Sequence, residues 1–146
     1  MIKDQFGHQF TQAYDLSNLL HMAVSLADDV SRTDIQVMEY LKCDNCAQVL
    51  SGALFAMLAG KEDLDRSLII AVNHSGRSSA VGAIVGAILG LRQTEDALPP
   101  FYIECLEPAE TLMELADDMW SGCPMEMGSK LFDLDWDRKY IHGGND

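Results

Sequence analysis

At 146 residues, with 48% hydrophobic and 23% charged residues, the chain has the balance of a soluble globular protein and is long enough to bury a core as one domain. Its formal net charge of −13 excludes the clustered Lys and Arg that a nucleic-acid backbone requires. The acid gathers late, with Glu95, Asp96, Glu104, Glu107, Glu110, Glu114, Asp117, Asp118, Glu126, Asp133, Asp135 and Asp137 set against a lone Lys130 between Gln93 and Asp137. That pattern suits a solvated acidic surface, with a cationic partner or cation binding as the other readings.

The first residues, MIKDQFGHQF, carry no apolar signal core, so secretion is not expected and the cytoplasm is. In YDLSNLLHMAVSLADDV, the residues Leu16, Leu19, Leu20, Ala23, Leu26, Ala27 and Val30 recur at helical spacing and predict a first helix with one apolar face. DIQVMEYLK predicts a short second helix with Ile35, Met38 and Leu41 inward. Cys43 and Cys46 then form a Cys-x-x-Cys, but Cys105 and Cys123 add no second pair, and zinc needs four well-spaced ligands. The expectation is therefore free thiols at a helix start, one of them facing inward, rather than a metal or redox centre.

Asp44 or Asn45 can cap a third helix through Cys46, Leu50, Ala53, Leu54 and Met57, which Gly60 ends at the position after the cap. KEDLDRSLIIAVN predicts a fourth, with acids in its first turn where the helix dipole favours them. The polar turn Asn73-His74-Ser75-Gly76-Arg77-Ser78-Ser79 runs from there into a fifth helix, from about Ser78 to Leu91. That helix has Gly82, Gly86 and Gly90 on one line, and Val81, Ile84, Val85, Ile88 and Leu89 around it, which predicts a position at the centre of the fold. Its apolar run, Ala80 to Leu91, is well short of the ~20 residues needed to cross a bilayer, so no membrane is expected. A polar turn entering such a helix brings backbone N–H groups into the protein, where they need partners or a ligand. In the plain structural reading Ser78 or Ser79 caps the helix, while Asn73 and His74 bond to neighbouring carbonyls.

Leu98-Pro99-Pro100 interrupts the helices. Pro108 suits the first turn of a sixth, PAETLMELADDMW. The tail FDLDWDRKYIHGGND is expected to be irregular. No stretch holds a period of two, so the fold class is all-α: one compact orthogonal unit of about six helices.

The segment AVNHSG followed by a glycine-spaced helix resembles the C-terminal half of the ADP-ribosylglycohydrolase family, whose members carry Ala-Val-Asn-His-Ser-Gly-Asp-Ser-Asp-Ser/Thr there. DLDRSLIIAVNHSG, ALPPFYIECLEPAETLMELADDM and WDRKY extend the resemblance over roughly Asp15 to Tyr140. It implies half of an all-helical hydrolase fold. Family members remove ADP-ribose from modified side chains or related compounds with two Mg²⁺ ions, and the loop Asn73, His74, Ser75, Gly76, Arg77, Ser78 and Ser79 corresponds to part of that site. Mg²⁺ takes oxygen ligands in octahedral geometry, and an Asp-x-Asp-Ser/Thr turn supplies three.

The chain departs from this pattern at the ligands. Arg77 stands at the first metal-ligating Asp, Ser79 at the second and Ala80 at the Ser/Thr, while Gly76 and Ser78 match. A guanidinium a few ångström from a divalent ion is repelled by several kcal/mol at an effective dielectric of about 20. The family's catalytic domain is also about twice this length, and its N-terminal half, which supplies the remaining ligands, has no counterpart in these residues. The pairs Asp28-Asp29 and Asp117-Asp118 are poor replacements, because adjacent helical residues diverge by ~100°.

The expectation is thus a shortened, degenerate member without catalytic residues or a resident metal, in a binding or assembly role. Arg77 and the helix N-terminus suit a phosphate or ADP-ribose. The expected protein partner is a second copy, giving a homodimer, or a complementary N-terminal-half polypeptide. The alternatives are an active Mg²⁺-dependent ADP-ribosyl hydrolase completed by that polypeptide, and an unrelated helical module built on Cys43 and Cys46.

Overall fold

The computed structural model describes residues 13–93, 99–121 and 134–140. Eight helices occur among them: α1 (Ala13–Ala27), α2 (Asp34–Leu41), α3 (Cys46–Ala59), α4 (Leu64–Val72), α5 (Ser78–Gly90), α6 (Pro100–Glu104), α7 (Ala109–Ser121) and α8 (Leu134–Tyr140). No strand is present among the described residues, so the protein is all-α. Backbone contacts divide the chain at Pro99 and Pro100 into two compact units, α1–α5 and α6–α8. Several residues invoked above lie outside the described residues: the first ten, Glu95, Asp96, Leu98, Cys123, Glu126, Lys130 and Asp133.

In the first unit α3 is the hub, with α1, α2, α4 and α5 all packed against it. Its sequence explains this: Cys46 to Ala59 holds no charged residue, and Val49, Gly52, Ala53, Phe55 and Ala56 are buried. Ala23 of α1, Met38 and Leu41 of α2, Ile70 of α4 and Val81, Val85 and Leu89 of α5 complete the core. The starts of α2, α3 and α4 are each secured by a local side-chain cap. Thr33 makes a capping box with Gln36, the Asn45 carbonyl Oδ1 accepts the Gln48 N–H at 3.0 Å, and Asp63 Oδ1 accepts the Arg66 N–H at 2.8 Å.

Four local expectations are corrected. The first helix stops at Ala27, and Val30 is fully exposed in the turn where Asp29 Oδ1 accepts the Ser31 N–H at 2.9 Å. On α2 it is Val37, with Met38 and Leu41, that turns inward, and Ile35 is exposed. Two turns of helix tolerate either apolar face, and packing on α3 chose this one. Gly60 is the C-cap itself, in right-handed conformation, while Lys61 takes the left-handed position at φ 56°. The Glu62 N–H reaches the Met57 carbonyl and the Lys61 N–H the Leu58 carbonyl, both at 3.0 Å, closing a Schellman turn. Glycine is needed at 60 for another reason, since a Cβ there would overlap the Ser67 side chain and lie 2.9 Å from its Cα.

The fourth correction concerns α5. Only the stripe Val81, Val85 and Leu89 is buried; Ala83, Ala87, Ile88 and Gly90 are exposed. The helix forms one wall of the unit rather than its centre.

In the second unit Pro100 opens α6, and the Pro108 carbonyl accepts the Leu112 N–H at 2.9 Å at the start of α7. The tail is helical over α8 rather than irregular. Lys139 Nζ pairs with Glu114 and, at 2.6 Å, with Asp118, which also accepts the Tyr140 hydroxyl at 2.5 Å. Asp118 is therefore held by α8, with its carboxyl below the usual range because Lys139 and Tyr140 donate to it. Asp117 and Asp28 are exposed.

Candidate functional site

The polar turn joins α4 to α5, and its shape follows from a short list of bonds. Asn73 ends α4 and its Nδ2 donates to the Ile69 carbonyl at 2.7 Å. His74 Nε2 lies 2.9 Å from the Ala71 carbonyl, and its Nδ1 accepts the Gly76 N–H at 3.1 Å. An imidazole donating from one nitrogen and accepting at the other is neutral, here protonated at Nε2. The bonding foreseen for Asn73 and His74 is therefore present.

Ser75 reaches across the fold. Its N–H donates to Glu39 Oε1 at 2.7 Å, and its hydroxyl donates to Glu39 Oε2 at 2.5 Å. These two donors hold the Glu39 carboxyl below its usual range. Gly76 then lies against the connection between α2 and α3, where a Cβ would overlap the Lys42 carbonyl oxygen and sit 3.0 Å from Cys43 Cβ. The Arg77 N–H donates to the Cys43 carbonyl at 3.0 Å. Lys42 and Cys43 both have left-handed backbones, φ 64° and 53°, a conformation that costs a non-glycine residue energy and persists only when its surroundings enforce it. Docking of the Gly76–Arg77 backbone is part of that enforcement.

Arg77, not a serine, occupies the N-cap of α5, and no side chain caps the helix. The Arg77 carbonyl instead accepts the Ala80 and Val81 N–H groups, and Ser78 N–H is taken by the Gly76 carbonyl at 2.8 Å. Ser78 has thus already entered the helix, leaving neither serine in the capping position. Asn73, Ser75, Arg77 and Ser79 are exposed, with His74, Gly76 and Ser78 half-buried. The turn lies at the surface rather than deep in the protein. The seven residues form one continuous turn, and Glu39, Lys42 and Cys43 are the partners that sequence reasoning did not foresee. Nothing local marks Glu39, an acid on a polar face of α2.

The donor set of the turn does not suit a hard divalent cation. Positions 77, 79 and 80 offer a cation, one hydroxyl and a methyl group. The nearest carboxylate named in the turn's bonding, Glu39, has both oxygens engaged by Ser75. Among the described residues, no three His, Cys, Asp or Glu side chains gather as a metal would need.

Cys43 is buried, packed where a Cβ on Gly52 would touch its Sγ. Burial, then the charges of Asp44 and Glu39, push its thiol up to about 11. Cys46 is exposed at the first position of α3. One cysteine faces inward, as expected, and it serves as core packing.

A family model described as ADP-ribosylglycohydrolase matches residues 2–128, taking in every element from α1 to α7. The chain belongs to the ADP-ribosylglycohydrolase family. It is 34% identical over 111 residues to a protein of Archaeoglobus fulgidus described only as uncharacterized, a match covering 75% of this chain and 35% of that relative. The matched stretch thus spans about a third of that relative's length. No solved structure matches it. No helix among the described residues is long and apolar enough to cross a membrane.

Proposed function

We propose that this ADP-ribosylglycohydrolase-family chain is a catalytically degenerate member with a binding or assembly role. The observation that carries the reading is the pairing of a preserved loop frame with a changed donor set. The bonds through Asn73, His74, Ser75 and Gly76 hold the turn, while Arg77, Ser79 and Ala80 stand where the resemblance puts metal ligands. A cation at position 77 opposes a bound Mg²⁺ and favours an anion, so a phosphate or ADP-ribose is the ligand that suits the turn.

Calorimetry with Mg²⁺ and with ADP-ribose tests both parts. Absence of Mg²⁺ heat is expected, and micromolar Mg²⁺ binding would overturn the degenerate reading. Absence of heat with ADP-ribose would remove the anion ligand.

A second reading, an active hydrolase completed by another polypeptide, draws support from the match to only 35% of the Archaeoglobus relative. It ranks below the first because no added chain restores carboxylates at positions 77 and 79.

A further inference from the structure

Imidazole is the side chain that ordinarily changes charge between pH 5 and pH 8, and the bonds of His74 admit only one of its charge states. The Ala71 carbonyl, 2.9 Å from Nε2, can only accept, and the Gly76 N–H, 3.1 Å from Nδ1, can only donate. A neutral ring protonated at Nε2 satisfies both. An imidazolium keeps the bond to Ala71 but turns a second N–H toward the Gly76 N–H, donor against donor. Rotating the ring offers no remedy, since both nitrogens of an imidazolium donate. The Gly76 amide has no other acceptor among the described residues, and its neighbours are held. Ser75 is fixed by its two bonds to Glu39, and the Arg77 N–H donates to the Cys43 carbonyl at 3.0 Å. Gly76 itself is in contact with the Lys42 carbonyl, where a Cβ would overlap the oxygen. The repelled amide can therefore move only if the Arg77 end of the turn lifts from Lys42 and Cys43.

We propose that His74 is a pH-sensitive latch, whose protonation releases the Gly76–Arg77 backbone from the connection between α2 and α3 while Ser75 stays on Glu39. The latch concerns the docking of the turn and does not depend on the anion ligand proposed above. The surrounding groups decide how the release divides. On α2 the titratable neighbour is Glu39, whose carboxyl lies below 4.5 and stays ionised as His74 gains its proton. The new positive charge favours that carboxylate, so the Ser75 anchor is strengthened while the Gly76 bond is lost. The α2–α3 connection contributes Lys42, Asp44 and the Cys43 thiol, which is neutral well below its value of about 11. The start of α5 contributes Arg77, and α3 has no charged residue. Lys42 and Cys43 hold left-handed backbones against which Gly76 and Arg77 dock, so the strain of that connection adds to the release.

The test is an NMR titration of the full chain from pH 8 downward, reading the imidazole nitrogens of His74 and amide exchange in the same samples. The Nε2–H tautomer is expected at pH 8. As the ring takes up its proton, exchange at Gly76 and Arg77, corrected for intrinsic rates, should rise about ten-fold, the loss of one hydrogen bond. Ser75 should keep its protection over the same range. His74→Gln retains a donor and an acceptor but does not titrate, so its Gly76 amide should exchange alike, after the same correction, at pH 8 and pH 5. An Nδ1–H tautomer at pH 8 would overturn the latch, as would unchanged Gly76 protection once the ring is protonated. A rise that persists in His74→Gln, or one shared equally by Ser75, would overturn it too. If His74→Gln does not fold, the tautomer and the exchange of the wild-type chain decide the matter alone.

Discussion

Ser75 and Glu39, 36 residues apart, share two hydrogen bonds that tie the family's polar turn to a neighbouring helix. Each carboxylate oxygen takes one donor from the same serine, a two-point attachment that fixes both the position and the orientation of the turn. Glu39→Ala should therefore raise the hydrogen-exchange rates of the Ser75, Gly76 and Arg77 amides while the α3 amides keep their protection. Equal loosening across the whole unit would show that Glu39 supports the fold rather than the turn.

The same pair sets a pH dependence. The Glu39 carboxyl sits below its ordinary value of 4.5 because Ser75 donates to it, so its contribution is fully present above 4.5. It is lost as pH falls below 4.5 through the lower folded value. Exchange at Ser75 N–H, corrected for intrinsic rates, should rise in that acid range and remain flat from there to neutrality. In Glu39→Ala the rise should disappear.

Gly76 and Gly86 should respond oppositely to the same substitution. Gly76→Ala drives a methyl into the Lys42 carbonyl oxygen, which backbone cannot yield cheaply, and should destabilise by about 1–3 kcal/mol. Gly86→Ala adds a methyl with its nearest neighbour 3.9 Å away in the middle of a helix, and should stabilise by about 0.4–1 kcal/mol. Urea unfolding of the two variants checks both signs.

Cys43 should be inert to thiol reagents in the native state. Its thiol is buried and raised to about 11, whereas Cys46 and Cys105 are exposed. Mass spectrometry after labelling at pH 8 should find adducts on Cys46 and Cys105, with Cys43 modified only after denaturation. Rapid native labelling of Cys43 would revive the redox reading of the Cys-x-x-Cys.

Ser67 is fully buried on α4, and its hydroxyl has no hydrogen-bond partner. Removing an unsatisfied buried hydroxyl also improves helix propensity, so Ser67→Ala should stabilise by roughly 1 kcal/mol. Thermal unfolding decides the point, and a lower midpoint would contradict it.

The sequence by itself determined the helical class, most helix starts and the identity of the turn. Those features depend on residues within about four positions of one another, as with Asn45 capping α3 through Gln48. The AVNHSG segment likewise carries the family resemblance in six adjacent residues. Tertiary structure alone decided which side of a short or uniformly apolar helix faces inward. Val37 displaced Ile35 on α2, and α5 shows solvent a face as apolar as the one it buries. It also decided that Glu39 receives Ser75 and that Lys42 and Cys43 adopt left-handed backbones beneath Gly76. Periodicity and capping are local energies written in adjacent residues. The partner of a loop, or the face that a helix buries, depends on contacts between distant segments, and those energies exist only once the chain has packed.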